Sequence, residues 1–170
     1  MNITFTAAAE ADADRIAGLR REIWATTYRG IYPDALIDDY DREAHRRKDL
    51  IRIRDRANRV FLIRDGEQPI GYFSYRVGET LHITSLYLLA AYQRHGIGAK
   101  VMRHVRAVCR EQGFDRFTCN CNAHNLPAQT FYERMGGEAV GTDVGHENPR
   151  EDQITYRFDA QRTEEKVLAI

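Results

Sequence analysis

Lysine is nearly absent from this chain, cysteine and proline are scarce, and neither sign of charge dominates. Lys48, Lys100 and Lys166 are the only lysines, and the 25 Lys plus Arg are matched by 25 Asp plus Glu. A protein that held a polyanion would need a one-sided basic face, and zero formal charge supplies none, so nucleic acid is not an expected partner. The run from Arg42 to Arg64 is rich in arginine. Asp38, Asp39, Asp41, Glu43, Asp49 and Asp55 are interleaved or adjacent, the pattern of a solvated helix laced with ion pairs. The three cysteines, Cys109, Cys119 and Cys121, are odd in number and close together, which is no disulfide framework and suits a reducing compartment. No stretch approaches the roughly 18 apolar residues of a membrane-spanning helix. The opening Met-Asn-Ile-Thr-Phe has no basic segment followed by an apolar one. The expectation is a cytoplasmic protein with no membrane partner.

Hydrophobic residues make up 43% of the 170 residues and charged residues 29%, an ordinary globular composition. A chain of this length buries about 70% of its unfolded surface, so it needs neither a disulfide nor a structural metal. With no linker, repeat or low-complexity segment, one domain is expected over residues 1–160, with a C-terminal tail over 161–170.

Ile3 and Phe5 alternate as in a short strand, and Ile16, Leu19 and Ile23 then recur on one helical face. An unusually aromatic loop through Tyr28 and Tyr32 leads to a charged helix carrying Ala44, Leu50 and Ile51. Three strands follow, from Val60, from Ile70 to Val77 and from Leu81 to Leu89, joined by the turn signals Asp65-Gly66 and Gly78-Glu79. Ile97, Val101, Val105 and Val108 predict a helix that stops at Gly113. Phe117, Cys119 and Cys121 predict a strand, Asn125 and Pro127 open a helix ending at Gly136-Gly137, and Ile154, Tyr156 and Phe158 predict a last strand. The fold class is therefore α/β (α+β), a mixed, mostly antiparallel twisted sheet of about six to seven strands flanked by about four helices.

Chemistry concentrates in the segment from Leu86 to Ala99, where a strand passes through Gln93-Arg94-His95-Gly96-Ile97-Gly98 straight into a helix. A helix N-terminus presents amides with no intrahelical partner and about half a positive charge, and glycines let a phosphate approach the backbone. A P-loop would need Gly-Lys-Ser/Thr, and a Rossmann turn would need a third glycine at position 101, where the chain has Val. Two glycines can also serve a tight turn alone.

A second cluster follows, Asn125-Leu126-Pro127-Ala128-Gln129-Thr130-Phe131-Tyr132-Glu133-Arg134-Met135-Gly136. The pair of clusters, Gln93, Gly96, Gly98 and Ala99, then Asn125, Ala128, Phe131, Tyr132, Glu133, Arg134 and Gly136, resembles the GNAT superfamily of acetyl-CoA-dependent N-acetyltransferases. The resemblance runs from about Ile3 to Phe158, and Trp24, Thr27, Tyr28, Gly30, Ile31 and Pro33 resemble the segment that in many members covers the acceptor. It implies an acyltransferase that moves the acetyl group of acetyl-CoA to a primary amine of a small molecule or peptide, in a ternary complex and without a metal. Gln93, Arg94, His95, Gly96, Ile97, Gly98 and Ala99 would hold the CoA pyrophosphate. Leu86 and Leu88 would line the pantetheine arm, Leu88 through its backbone, and Asn125 and Ala128 would meet the same arm. Tyr132 would protonate the departing thiolate. Tyr28, Tyr32 and Thr84 would face the acceptor. The sequence departs from the family where Ala90 and Gly137 replace a common proline and a common aromatic.

Two residues keep a plainer reading beside these roles, Tyr132 as a core aromatic and Asn125 as a helix N-cap. Where many relatives have a glutamate base the chain has His82, which shares strand parity with Leu88 and Thr84. Glu79, a tyrosine or water are the other candidates. Cys119, Cys121 and His124 supply three potential ligands without the second pair that zinc sites use, and alternating cysteines are simpler as small core residues. An acyl-CoA-binding regulatory or sensor module is the alternative function. The sequence leaves the acceptor, the acyl-chain preference and a homodimer open.

Overall fold

Strand β1 (Ile3–Ala7) lies antiparallel to β2 (Asn58–Asp65), with Phe5 opposite Ile63, and β2 lies antiparallel to β3 (Gln68–Val77), with Phe61 opposite Phe73. The computed structural model describes residues 1–144 and 147–162. Between β1 and β2 come α1 (Ala13–Thr27), α2 (Asp34–Asp38) and α3 (Arg42–Arg54). Strand β4 (Leu81–Leu88) is followed by α4 (Ile97–Glu111), β5 (Arg116–Asn122), α5 (Leu126–Arg134), β6 (Glu138–Asp143) and β7 (Gln153–Asp159). The strands form one seven-stranded sheet in the order β1-β2-β3-β4-β5-β7-β6. It is mostly antiparallel, and β4 and β5 are parallel over Leu81–Ile83 and Phe117–Cys119. Among the described residues five α-helices accompany the sheet, one more than expected, because α2 is a five-residue helix inside the aromatic loop. Strand β6 was not expected either. All six of its residues are exposed, so it has no buried side to give an alternating pattern.

The residues fall into two compact units, Met1–Gly78 with Thr84–Gly98, and Glu79–Ile83 with Ala99 onward. In the first unit Ile16, Leu19 and Ile23 from α1 pack with Leu62 and Tyr72, joined at the edge by Val60, Tyr87 and Leu89. The helix α3 contributes no apolar residue to the buried set. Its one buried residue is Asp49, whereas Ile51 is 68% exposed. The reason is Arg20 on α1, which is itself buried and needs a carboxylate partner. Around it Arg46 and Arg47 pair with Glu43 as the sequence suggested, while Arg42 and Arg54 reach acids outside the charged run, Asp14 and Glu10.

In the second unit Val101, Met102, Val105 and Cys109 of α4 are buried, as are Phe117, Tyr156 and Phe158 of β5 and β7. Phe117 and Phe158 stack with centroids 4.9 Å apart, and Arg106 reaches over the Phe117 ring to bond the carbonyls of Met135 and Asp159. A Cβ on Gly137 would lie 2.8 Å from the Phe158 ring and 2.9 Å from the Tyr132 carbonyl, so the packing leaves no room for a side chain there. Of the expected tail, Gln161 and Arg162 are described and 163–170 lies outside the described residues.

Candidate active site

The first unit holds Tyr28, Tyr32, Thr84, Leu86 and Leu88 and the whole of Gln93 to Gly98. After β4 the chain makes a single 3-10 turn, Ala90–Tyr92, closed by bonds from Tyr92 N to Leu89 O and Gln93 N to Ala90 O. Gln93 then folds back, its side-chain amide donating to the Leu88 carbonyl at 3.1 Å. Arg94 follows with φ of 67°, the only non-glycine residue with positive φ among the described residues, and Gly96 has φ of 75°. Alternating left-handed residues turn successive amides toward one side, and holding an arginine there costs on the order of 1–3 kcal/mol, a strain typical of ligand-binding loops. The His95 ring meets the Gln93 carbonyl at 2.8 Å and steadies the loop from outside. A Cβ on Gly96 would find no atom within 4 Å, so the loop leaves open space beside its backbone.

The aromatic segment is internally packed. Tyr28 and Tyr32 stack at 4.5 Å, and Trp24 sits edge-on or tilted to both, with Tyr40 and His45 at 5.8 and 5.4 Å on its other sides. Asp34 and Asp38, acids that a cationic acceptor could have used, are engaged by Arg29 at 3.0 and 2.8 Å. Thr84 is exposed on β4 and shares its hydroxyl with Ser74 at 2.6 Å.

His82, Ala99, Asn125, Ala128 and Tyr132 belong to the second unit. His82 pairs in register with Thr118, and its Nδ1 lies 2.7 Å from the Thr118 hydroxyl oxygen. Burial holds the imidazole below its usual pKa, so it is neutral at pH 7. When Nδ1–H donates to Thr118, the lone pair is on Nε2 and that nitrogen can accept a proton. Asn125 is the N-cap of α5, its side chain accepting from Ala128 N at 3.2 Å. Its plainer reading therefore holds, and its amide nitrogen is not used by that cap.

Tyr132 is 8% exposed, with the rings of Phe131, Tyr156 and Phe158 at 5.2, 5.9 and 6.1 Å. Tyr156 uses its hydroxyl on Glu133, at 3.2 Å, and burial with that carboxylate pushes its pKa up to about 12. The role of Thr118 and the left-handed Arg94 escaped the sequence. Strand parity could have pointed to Thr118 once the β4–β5 register was known, but nothing local marks a residue for positive φ when it is arginine.

The model of the acetyltransferase (GNAT) family matches residues 18–137. N-alpha-acetyltransferase 50 of Danio rerio is 38% identical over 63 residues, 36% of this chain and 38% of that protein. An uncharacterized acetyltransferase of Streptococcus pyogenes serotype M1 is 33% identical over 82 residues, 47% of this chain and 56% of that protein. The chain thus spans about four to six tenths of these relatives' length. Among solved structures, PaiA N-acetyltransferase from Thermoplasma acidophilum, crystallised with coenzyme A, superposes with a TM-score of 0.80 at 20% identity, covering 94% of this chain and 99% of that one. That likeness shows the fold.

Proposed function

The chain belongs to the GNAT acetyltransferase family, and on that premise we propose that residues 1–160 form one domain that transfers the acetyl group of acetyl-CoA to a primary amine of a small molecule or peptide. The observation that carries this reading is the loop from Gln93 to Gly98, in which left-handed Arg94 and Gly96 leave open backbone space ahead of a helix start. That is the shape and polarity a pyrophosphate requires, and Arg94 and His95 add donors at its rim. A structural neighbour bound to coenzyme A supports the same donor.

The reaction needs no covalent enzyme intermediate. The amine, once neutral, attacks the thioester carbonyl, whose developing oxyanion takes a hydrogen bond from the Leu88 amide, a contact worth a few kcal/mol. His82 takes the ammonium proton, directly or through water, and the second proton that nitrogen sheds as the amide forms passes to solvent. The burial-lowered pKa of His82 keeps it unprotonated and ready at pH 7, and in the tautomer whose Nδ1–H donates to Thr118 the Nε2 lone pair is bare. The C–S bond then breaks, and the electron pair leaves with sulfur, which takes the proton of the Tyr132 hydroxyl. Tyr28, Tyr32 and Thr84 are assigned to the acceptor side.

The test is a screen for release of free CoA thiol from acetyl-CoA across amines, amino acids and short peptides. Thiol release that depends on one amine class supports the transferase. Tight CoA binding with no release from any amine would instead make the chain an acyl-CoA sensor.

A further inference from the structure

We propose that Gly71 on β3 is a positioning residue for the oxyanion donor: its missing side chain gives the Tyr87 carbonyl a seat, and that seat aims the Leu88 N–H of the same peptide. This rests on the Leu88 amide holding the developing oxyanion. All three residues lie in the first unit. A Cβ on Gly71 would collide with the Tyr87 carbonyl oxygen and lie 3.1 Å from the Leu88 Cα and 3.0 Å from its Cδ2. Gly71 is buried in the interior of β3 and is not among the residues of positive φ, so no turn calls for a glycine here. Glycine weakens a strand, and a strand keeps one where another backbone comes close.

Strand β3 bulges at this point. Ile63 on β2 faces Gly71 and Arg64 faces Pro69, which leaves Ile70 as the extra residue. A bulge re-aims the strand that carries it. The carbonyl of Ile70 takes the Leu89 N–H at 2.9 Å, and the Gln93 side-chain amide donates to the Leu88 carbonyl at 3.1 Å. The peptide after Leu88 is thus held at both its polar atoms, and the peptide before it rests its carbonyl on Gly71. That peptide is trans, so its C=O and N–H point in opposite directions, and a carbonyl turned onto Gly71 sends the Leu88 N–H away from it. A methyl group at Gly71 would push the oxygen off and swing the N–H with it. Hydrogen bonds weaken steeply as they bend, and an oxyanion donor works by being aimed before the charge develops.

The experiment uses the full chain with acetyl-CoA labelled with carbon-13 at the thioester carbonyl, and reads the infrared band of that carbonyl when bound, with no amine present. The parent should hold the band below its frequency in free acetyl-CoA, the signature of a donated hydrogen bond. Gly71→Ala should return it most of the way to the free position. With the amine that the screen selects, the same variant should lower kcat about tenfold or more, while the dissociation constant for CoA stays within about twofold of the parent's. Gly78→Ala, where a Cβ meets nothing within 4 Å, should match the parent in all three. A folded Gly71→Ala with the parent's band or the parent's kcat would overturn the proposal while leaving Leu88 as the donor. A parent band at the free position would remove Leu88 as the donor and take this proposal with it. If Gly71→Ala folds only in the cold with saturating acetyl-CoA, the band is read there, because it reports bound and therefore folded chains. If it binds no acetyl-CoA even so, Gly71 serves the fold alone and the proposal is overturned.

Discussion

Arg20 on α1 and Asp49 on α3 meet in a two-pronged pair, both contacts 2.7 Å, with side chains only 7% and 4% exposed. The arginine also donates its Nε–H to the Tyr72 hydroxyl at 2.9 Å and lies over the Tyr72 ring. One buried ion pair therefore fastens a strongly charged helix to the first unit, in a position where an amphipathic helix would have placed a leucine.

Breaking that pair leaves an uncompensated buried guanidinium. Asp49→Ala should cost about 3–5 kcal/mol of stability in urea unfolding, and Arg20→Met in the same protein should recover most of it. A single-variant loss below about 1 kcal/mol would show that water reaches Arg20 in solution.

In the first turn of α4, Gly98→Glu puts a negative side chain where the pyrophosphate is proposed to lie, at a position a helix accepts well. Calorimetry should find CoA affinity reduced at least about 100-fold, with an unfolding midpoint close to the parent's. Undiminished affinity would mean that CoA does not use this loop.

The pH behaviour follows from His82. Burial sets its folded pKa below the ordinary histidine value of about 6.5, so the neutral ring is favoured in the folded state. Stability from this group is complete above about pH 6.5 and declines as pH falls through the folded pKa. In kinetics the parent's acid limb in kcat/KM should lie below pH 6.5. His82→Ala should lower kcat/KM most below pH 8 and recover partly above it, where more of the amine is already neutral. Thr118→Val should fall the same way by a smaller factor. A His82→Ala profile parallel to the parent's at the same height would leave Glu79, a tyrosine or water as the base.

The Phe158 ring and the Tyr132 carbonyl both lie within 3 Å of where a Gly137 Cβ would be. Gly137→Ala should lower stability by about 1–3 kcal/mol in thermal or urea unfolding, an overpacking penalty. A variant as stable as the parent would mean that β7 yields freely.

Most of this architecture was legible because apolar spacing and turn residues agree along the chain. The strands through Ile83 and Cys119 alternate, those through Phe61 and Phe73 are short apolar runs bounded by turn residues, and α1 and α4 repeat at helical spacing. What stayed hidden depends on partners distant in sequence. Asp49 looks like one charge among many until Arg20 is found buried 29 residues earlier, β6 has no inward side to mark it, and α2 is one turn within a loop that reads as aromatic. The candidate residues were named from their motif, but the hydrogen bond between His82 and Thr118 requires the β4–β5 register. A cysteine on a strand reads as core filler, and Cys119 is buried there.

The central claim is acetyl transfer with Tyr132 as the acid, and the most direct test compares parent and Tyr132→Phe on acetyl-CoA and the amine that the screen selects. The change keeps the ring among Phe131, Tyr156 and Phe158 and removes one oxygen. The account predicts a kcat lower by about 10²-fold or more with the dissociation constant for CoA within about twofold of the parent's. Equal turnover in the two proteins would contradict it and reduce Tyr132 to a core aromatic.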